Sequence, residues 1–322
     1  PNFVGDEENN FLDGGTAARN PLKKFVLPSV SRKGKSPFTV IYLFNPSSDE
    51  DVNVELELYD WLGGMISSQR VSIVPRGSLV QHLGSLFDVE VSKFSGGYVR
   101  GSTDGEGVVA FETFGNEQAI NILAAQRTVV QKFPYRVAHF VVGSGFNTEL
   151  NLINLDPIHS STLTISALND QGESLLSTKG IVLQSGEQVI VSLVSLFGLS
   201  ASEFLVGSLL IEQENVFEGG LINLPALSGS IRFLGPSGTF SAALPLFLNS
   251  NSEALYPHVA QDLGFFTGIA ILNTQDGPVD VKVESINAYG QSLGEATVRL
   301  ASGARVSRLL VELIPATKGQ VG

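Results

Sequence analysis

Apolar and polar residues alternate along much of this chain with a period of two. Val52, Val54, Leu56 and Leu58 are interleaved with Asn53, Glu55 and Glu57. That period predicts antiparallel strands with one buried face and one wet face. In the stretch from Thr148 to Asn154, Thr148, Leu150 and Leu152 take the inward phase, and Glu149 and Asn151 the outward one. No amphipathic helix of useful length can be drawn. Each Ser-Leu-Phe segment, at Ser85-Leu86-Phe87 and Ser195-Leu196-Phe197, predicts at most a single helical turn between strands.

The pattern occurs three times. Thr39 precedes Asn45 by six places, as Thr148 precedes Asn154 and Thr267 precedes Asn273. Ile41, Leu43, Ile269 and Ile271 then share the inward phase of Leu150 and Leu152. Each Asn closes its strand, where its side chain can bond the backbone of the following turn. A turn glycine follows at Gly63, Gly172 and Gly290, and a second at Gly77, Gly186 and Gly303. The tips read Gly63-Gly64, Gln171-Gly172 and Tyr289-Gly290, then Arg76-Gly77, Ser185-Gly186 and Ser302-Gly303, with Asp104-Gly105 as another. Glu312-Leu313-Ile314 takes the Ser-Leu-Phe place in the third copy. The three Asn residues are 109 and 119 positions apart. A repeat of roughly 100 residues is the size of one β-sandwich, large enough to hold a private core.

Four segments follow: an acidic, extended N-terminal segment over 1–24, a first sandwich over 25–130, a second over 131–249 and a third over 250–322. The third is expected to be incomplete. Gly96-Gly97-Tyr98-Val99-Arg100 follows the landmark in the first copy and Gly207-Ser208-Leu209-Leu210-Ile211 in the second. The third copy has only Gln320-Val321-Gly322 where that strand should begin. Three explanations stand open: the chain is part of a longer array, a partner subunit donates the missing strands, or the third module is a smaller variant. The N-terminal segment is a candidate donor, although Phe3, Val4, Phe11 and Leu12 do not alternate.

Tyr256-Pro257-His258-Val259-Ala260, the Thr267–Asn273 strand, the glycine hairpin and the Gly96–Arg100 motif together resemble a β-sandwich module. They are similar to the tandem Ig-like modules of large secreted bacterial surface proteins, over about residues 25–322. The first copy departs by carrying Leu27-Pro28-Ser29-Val30 where the His-bearing strand falls. The resemblance implies an all-β fold of tandem Ig-like antiparallel β-sandwiches, two complete and a third lacking its last strands. It also implies an extracellular or cell-surface setting. It carries no catalytic residue.

Composition narrows the function classes. The 322 residues include no Cys, so disulfides, thiolate metal sites and cysteine nucleophiles are excluded. A net charge of −12 offers no basic field for a nucleic acid or an anionic membrane surface. Val189 to Ile211 holds a single charge, Glu203, and has the hydropathy of a membrane span. Its alignment with Leu79 to Val99, which includes His82, Asp88, Glu90 and Lys93, makes it a strand–turn–strand, and no membrane insertion is expected.

Candidate chemistry is sparse. His82, His139, His159 and His258 include one equivalent pair, His139 and His258, each nine places before a strand Thr. They sit in separate modules and read as packed strand residues. Lys33-Gly34-Lys35-Ser36 echoes the end of a phosphate loop, but Ser29 stands where its first glycine would be and no helix follows. There is no Gly-x-Ser-x-Gly elbow. Asp6-Glu7-Glu8 with Asp13, and Asp49-Glu50-Asp51, are acid clusters whose default is a solvated loop and whose alternative is weak calcium binding. Tyr59, Trp61 and Tyr42 are aromatic candidates for module packing, a protein contact or a glycan. No catalytic, cofactor-binding or metal residue is assigned.

The expectation is a non-catalytic structural protein of the bacterial exterior. It would be a rod of tandem sandwiches that acts as a spacer or assembles into a filament, by head-to-tail self-association or as a longer array of the same modules. An adhesin or carbohydrate-binding array is the alternative.

Overall fold

A computed structural model describes residues 2–6, 11–15, 21–30, 38–116, 119–128, 134–200, 203–213, 227–236, 241–246, 252–256, 259–261 and 266–320. The chain is all-β, in tandem antiparallel sandwiches.

Within the N-terminal segment, β1 (Asn2–Asp6) and β2 (Phe11–Gly15) pair with each other as an antiparallel hairpin. Module 1 contains β3 (Lys24–Leu27), β4 (Phe38–Phe44), β5 (Val52–Asp60), β6 (Met65–Ile73), β7 (Ser78–His82), α1 (Leu83–Phe87), β8 (Gly97–Thr103), β9 (Val109–Gly115), β10 (Ile120–Ala124) and β11 (Gln126–Arg127). Its sheets run β10-β9-β4-β7 and β11-β3-β8-β5-β6. Hairpin β1–β2 lies beside β10.

Module 2 contains β12 (Tyr135–Val142), β13 (Asn147–Asn154), β14 (Ser161–Leu168), β15 (Lys179–Leu183), β16 (Gln188–Ser192), α2 (Leu193–Phe197), β17 (Leu205–Gln213), β18 (Leu227–Leu234) and β19 (Ser241–Pro245). Its sheets run β16-β13-β18-β19 and β12-β17-β14-β15, the strand order of module 1 without the edge strand β11. The apolar Val189–Ile211 window is divided among β16, α2 and β17, and no helix among the described residues is long and apolar enough to cross a membrane.

Module 3 contains β20 (Gly268–Leu272), β21 (Val279–Ile286), β22 (Ser292–Leu300), β23 (Arg305–Leu309) and α3 (Leu310–Leu313). Its sheets have two strands each, β20-β23 and β21-β22. Among the described residues nothing corresponds to β17, β18 or β19.

The alternating phase holds inside the sandwiches. Val54, Leu56, Leu58, Ile41 and Leu43 lie in the first core, and Leu150, Leu152, Leu163 and Ile165 in the second. Each large apolar side chain so buried stabilises its module by about 1.5–3 kcal/mol. The wet-face expectation needs correction at β13. Glu149 and Asn151 point outward but are only 6% and 5% exposed. Asn151 is covered by module 1, whose Pro28 carbonyl it bonds, and Glu149 pairs with Arg232 of the neighbouring strand at 3.6 Å.

The strand-closing Asn residues act identically. Asn45 Nδ2 donates to the carbonyls of Glu50, Ile73 and Val74; Asn154 to His159, Leu183 and Gln184; Asn273 to Gly277, Leu300 and Ala301. Each Oδ1 accepts the N–H two residues on. One side chain thus ties a strand end to two turns. The threonines clamp the preceding strand: Thr148 Oγ1 accepts from Val141 N–H and donates to its carbonyl, as Thr267 does with Ala260.

One landmark shifts by a residue. Gly186 and Gly303 hold the left-handed turn position at φ 72° and 71°, but module 1 puts Arg76 there at φ 55°, not Gly77. Gly77 N–H bonds the Val74 carbonyl just as Glu187 bonds Gln184 and Ala304 bonds Ala301. Arg76 is therefore the true counterpart of Gly186, and Ser78 of Gln188 and Arg305.

Candidate functional site

The sequence candidates do not converge. His82 and His159 are exposed, the latter against the Asp156 carboxylate at 3.2 Å. His258, Glu7, Glu8, the Lys33–Ser36 segment and the side chains of Asp6 and Asp13 lie outside the described residues. Among the described residues Asp49 accepts from its neighbours Ser47 and Ser48. Among the described residues no group of three or more His, Cys, Asp or Glu is placed to hold a metal ion.

What the fold does assemble is a junction between modules, and it assembles it twice. The outer face of β3, β8 and β5 in module 1 packs on the outer face of β13 in module 2. Val26, Tyr98, Ile153 and Leu155 form a small buried core there, with Tyr59 against it. Tyr59 and Tyr98 stack at 5.1 Å, and the Arg100 guanidinium lies 5.0 Å from the Tyr59 ring centre. Arg100 then donates to the Leu155 carbonyl at 2.9 Å, and Tyr98 Oη to the Gly186 carbonyl at 2.9 Å. Burial pushes the Tyr98 hydroxyl up to about 12, so it remains a donor at any physiological pH.

Two hairpin tips meet at the edge of this contact. A Cβ on Gly63 would stand 2.6 Å from the Gly186 backbone, closer than any side chain tolerates. Gln188 N–H donates to the Trp61 carbonyl at 2.8 Å. Gln188 Nε2 donates to the Pro28 carbonyl at 2.8 Å, which Asn151 Nδ2 also reaches at 2.8 Å. The aromatic Trp61 thus contributes its backbone carbonyl, and the residue remains 42% exposed.

The junction between modules 2 and 3 repeats this at the counterpart positions. A Cβ on Gly172 would stand 2.6 Å from the Gly303 carbonyl oxygen. Arg305 N–H donates to the Asp170 carbonyl at 2.9 Å. Arg305 Nη1 donates to the Ala138 carbonyl at 3.1 Å, where Ala138 is the counterpart of Pro28. The same guanidinium donates to the Gly207 carbonyl and pairs with Asp170 Oδ1 at 2.7 Å.

His139 belongs to this second junction. Its Nδ1 faces Arg305 Nη1 at 3.2 Å and its ring lies against Phe233. Burial, with the Arg305 charge beside it, pulls its pKa down to about 4, while Asp170 opposes the shift. The ring is neutral and accepts from Arg305.

A second buried titratable group lies in module 1. Glu112 is fully buried, and its Oε1 accepts the Ser29 N–H at 2.8 Å. Burial raises its pKa to about 8, against the lowering effect of that bond. Its counterpart in module 2 is the apolar Ile231, since both face the matching residue of the neighbouring strand, Ile41 or Leu150.

Sequence reasoning missed Gln188, Arg305 and Glu112. The first two carried a signal: a long polar side chain two places after a turn glycine, at the first position of a strand. Glu112 gave none beyond one charge in an apolar run. No family model, curated protein or solved structure matches this chain.

Proposed function

We propose that the chain is a non-catalytic structural protein whose β-sandwich modules stack into a stiff array of the bacterial exterior. The observation that carries this reading is the recurrence of one junction. Both use a glycine tip against a glycine tip or its carbonyl, one inter-module backbone bond, and one long side chain bonded to the counterpart carbonyl of the preceding module. A contact reused at counterpart positions supports a constant step between modules, which is the requirement for a spacer or a filament. The lack of Cys and the acidic surface suit such a setting. Head-to-tail self-association, or extension by further modules of this type, is the matching partnership.

Small-angle scattering and negative-stain microscopy of the purified chain test this. An elongated particle with one repeat length per module supports it. A compact particle whose modules fold back on one another refutes it.

A second reading, an adhesin or carbohydrate-binding array, is favoured by the outer face of β4 in module 1. Tyr42 stacks on Phe111 at 4.3 Å there, with Phe44 and Val80 39% and 56% exposed. This is the counterpart of the face that module 1 covers on module 2. A glycan array without binding, or with binding unchanged by Tyr42→Ala, removes this reading.

A further inference from the structure

The face that a module turns to the one before it differs between the copies. Its centre is the residue three places before the strand-closing Asn: Tyr42, Asn151 and Ala270. In the neighbouring strand Phe111 stands opposite Tyr42, and Ser230 opposite Asn151. Asn151 and Ser230 are only 5% and 3% exposed, and the Pro28 carbonyl of module 1 comes within 2.8 Å of Asn151 Nδ2. The covering strand is thus one short side chain away from the sheet it covers. Module 3 carries only the Ala270 methyl at this place, where β12 of module 2 lies against β20.

Module 1 has two rings there instead. Tyr42 and Phe111 are 4.3 Å apart and 8° from parallel. Strands lie side by side in a sheet, so rings stacked face to face across two strands stand on edge and not flat. Their width rises from the face, and a strand carbonyl cannot approach it as Pro28 approaches Asn151.

Two junction positions change with the rings. Ser78 stands where Gln188 and Arg305 stand, and its hydroxyl is too short to reach the strand carbonyl that those side chains bond. Arg76 stands at the tip in place of Gly186 and Gly303. A Cβ on Gly186 would lie 3.0 Å from Gly63 Cα, whereas one on Gly303 would meet nothing within 4 Å. The ring pair is therefore the general barrier, Ser78 removes the bond that would offset it, and Arg76 crowds a tip placed as in the first junction.

We propose that Tyr42 and Phe111, with Ser78 and Arg76, are the residues that stop stacking, so that module 1 takes no further module of this kind on its β4 face. A module of the same chain and one of a second copy would meet the same side chains, and both are excluded. Selectivity comes from a built clash and a missing donor, without any new attraction. This rests on the reading of the chain as a modular array, and it gives that array a polarity. Of the two partnerships open to the array, it removes head-to-tail contact between copies through this junction, which would need the β4 face as acceptor.

The test moves the rings onto a face that is covered. In the full chain, Asn151→Tyr with Ser230→Phe should open the first junction. The Gln188 amide, which bonds the Trp61 carbonyl across that junction, should exchange at least about tenfold faster, with the Arg305 amide and the amides of β14 unchanged. Asn151→Ala, which gives module 2 the residue of module 3, should speed the Gln188 amide far less. Ala270→Tyr repeats the substitution at the second junction and should speed the Arg305 amide, which bonds the Asp170 carbonyl. An unmoved Gln188 amide in the ring-bearing chain, an equal effect of Asn151→Ala, or an unmoved Arg305 amide in Ala270→Tyr overturns the proposal. So does capture of the Ala288–Gly290 tip of a second copy by a photoreactive residue placed at Val80 of the parent chain. Scattering on the parent chain keeps the two readings apart. An elongated parent whose ring-bearing variant keeps its first junction closed removes the stop and leaves the array standing, whereas a compact parent removes the array.

Discussion

Gln188 and Arg305 occupy the same place in successive modules and make the same two bonds to the module before. Each donates its backbone N–H to a hairpin carbonyl, Trp61 or Asp170, and its side chain to a strand carbonyl, Pro28 or Ala138. An amide and a guanidinium serve alike because the acceptor is a single carbonyl within reach of either. Arg305 does more, since its longer fork also reaches Gly207 and Asp170.

Arg305→Ala should therefore loosen module 3 from module 2. It strips donors from the Ala138 and Gly207 carbonyls, and each unmet buried acceptor costs about 1–3 kcal/mol. A loss of roughly 2–4 kcal/mol is expected, read as faster hydrogen exchange in β20 and β23 and a lower urea midpoint. Arg305→Gln should recover a good part of it, as Gln188 does the equivalent task in the first junction. Equal losses for Ala and Gln would mean that the side-chain bond to Ala138 is idle.

The glycine tips allow a matched comparison. Gly63 and Gly290 share a left-handed backbone, at φ 84° and 79°. A Cβ on Gly63 meets the Gly186 backbone, whereas a Cβ on Gly290 meets nothing within 4 Å. Gly290→Ala should cost only the conformational penalty of about 1–2 kcal/mol. Gly63→Ala should cost that and the overlap as well, lowering the melting temperature by more. Equal shifts would place the tips apart in solution.

His139 makes the second junction sensitive to acid. Its folded pKa of about 4 lies below the unfolded value near 6.5, so the folded state binds fewer protons between them. The stability it contributes is full above pH 6.5 and is lost as pH falls through 4. The charged ring would face Arg305, with only Asp170 to offset the repulsion. Protection factors in β12 and β23, taken against the intrinsic exchange rate at each pH, should fall on going from pH 7 to 4.5, and His139→Gln should flatten that fall. A profile unchanged by the substitution would assign the acid response to other groups.

Glu112 works in the opposite direction. Its folded pKa of about 8 lies above the unfolded value near 4.3, so the folded state retains a proton that the unfolded chain gives up. Module 1 should lose stability as pH rises from about 4.3 to 8, by at most about 1.4 kcal/mol per pH unit. Glu112→Gln should remove that slope while keeping an oxygen for Ser29 N–H. Urea titrations at pH 5, 6.5 and 8 read this directly, and parallel slopes for both proteins would contradict it.

The sequence determined the strands, their inward phase and the threefold repeat of their landmarks. These follow from local rules: a period of two for a half-buried strand, glycine for left-handed turns, and an Asn that can bond the turn after it. Even the shift from Gly77 to Arg76 was a one-residue error in a correctly located turn, since an Arg can occupy a left-handed position at modest cost.

The tertiary structure alone decided what the outward residues do. Alternation marks a face as polar or apolar, but not whether another module covers it. Asn151 reads as wet and is buried, because Pro28 belongs to the face stacked upon it. Gln188 meets Pro28 across 160 positions and Arg305 meets His139 across 166. Such pairs depend on the step from one sandwich to the next, which no local pattern encodes. The cores were therefore written in the sequence, and the junctions that join them appear only when whole modules are set face to face.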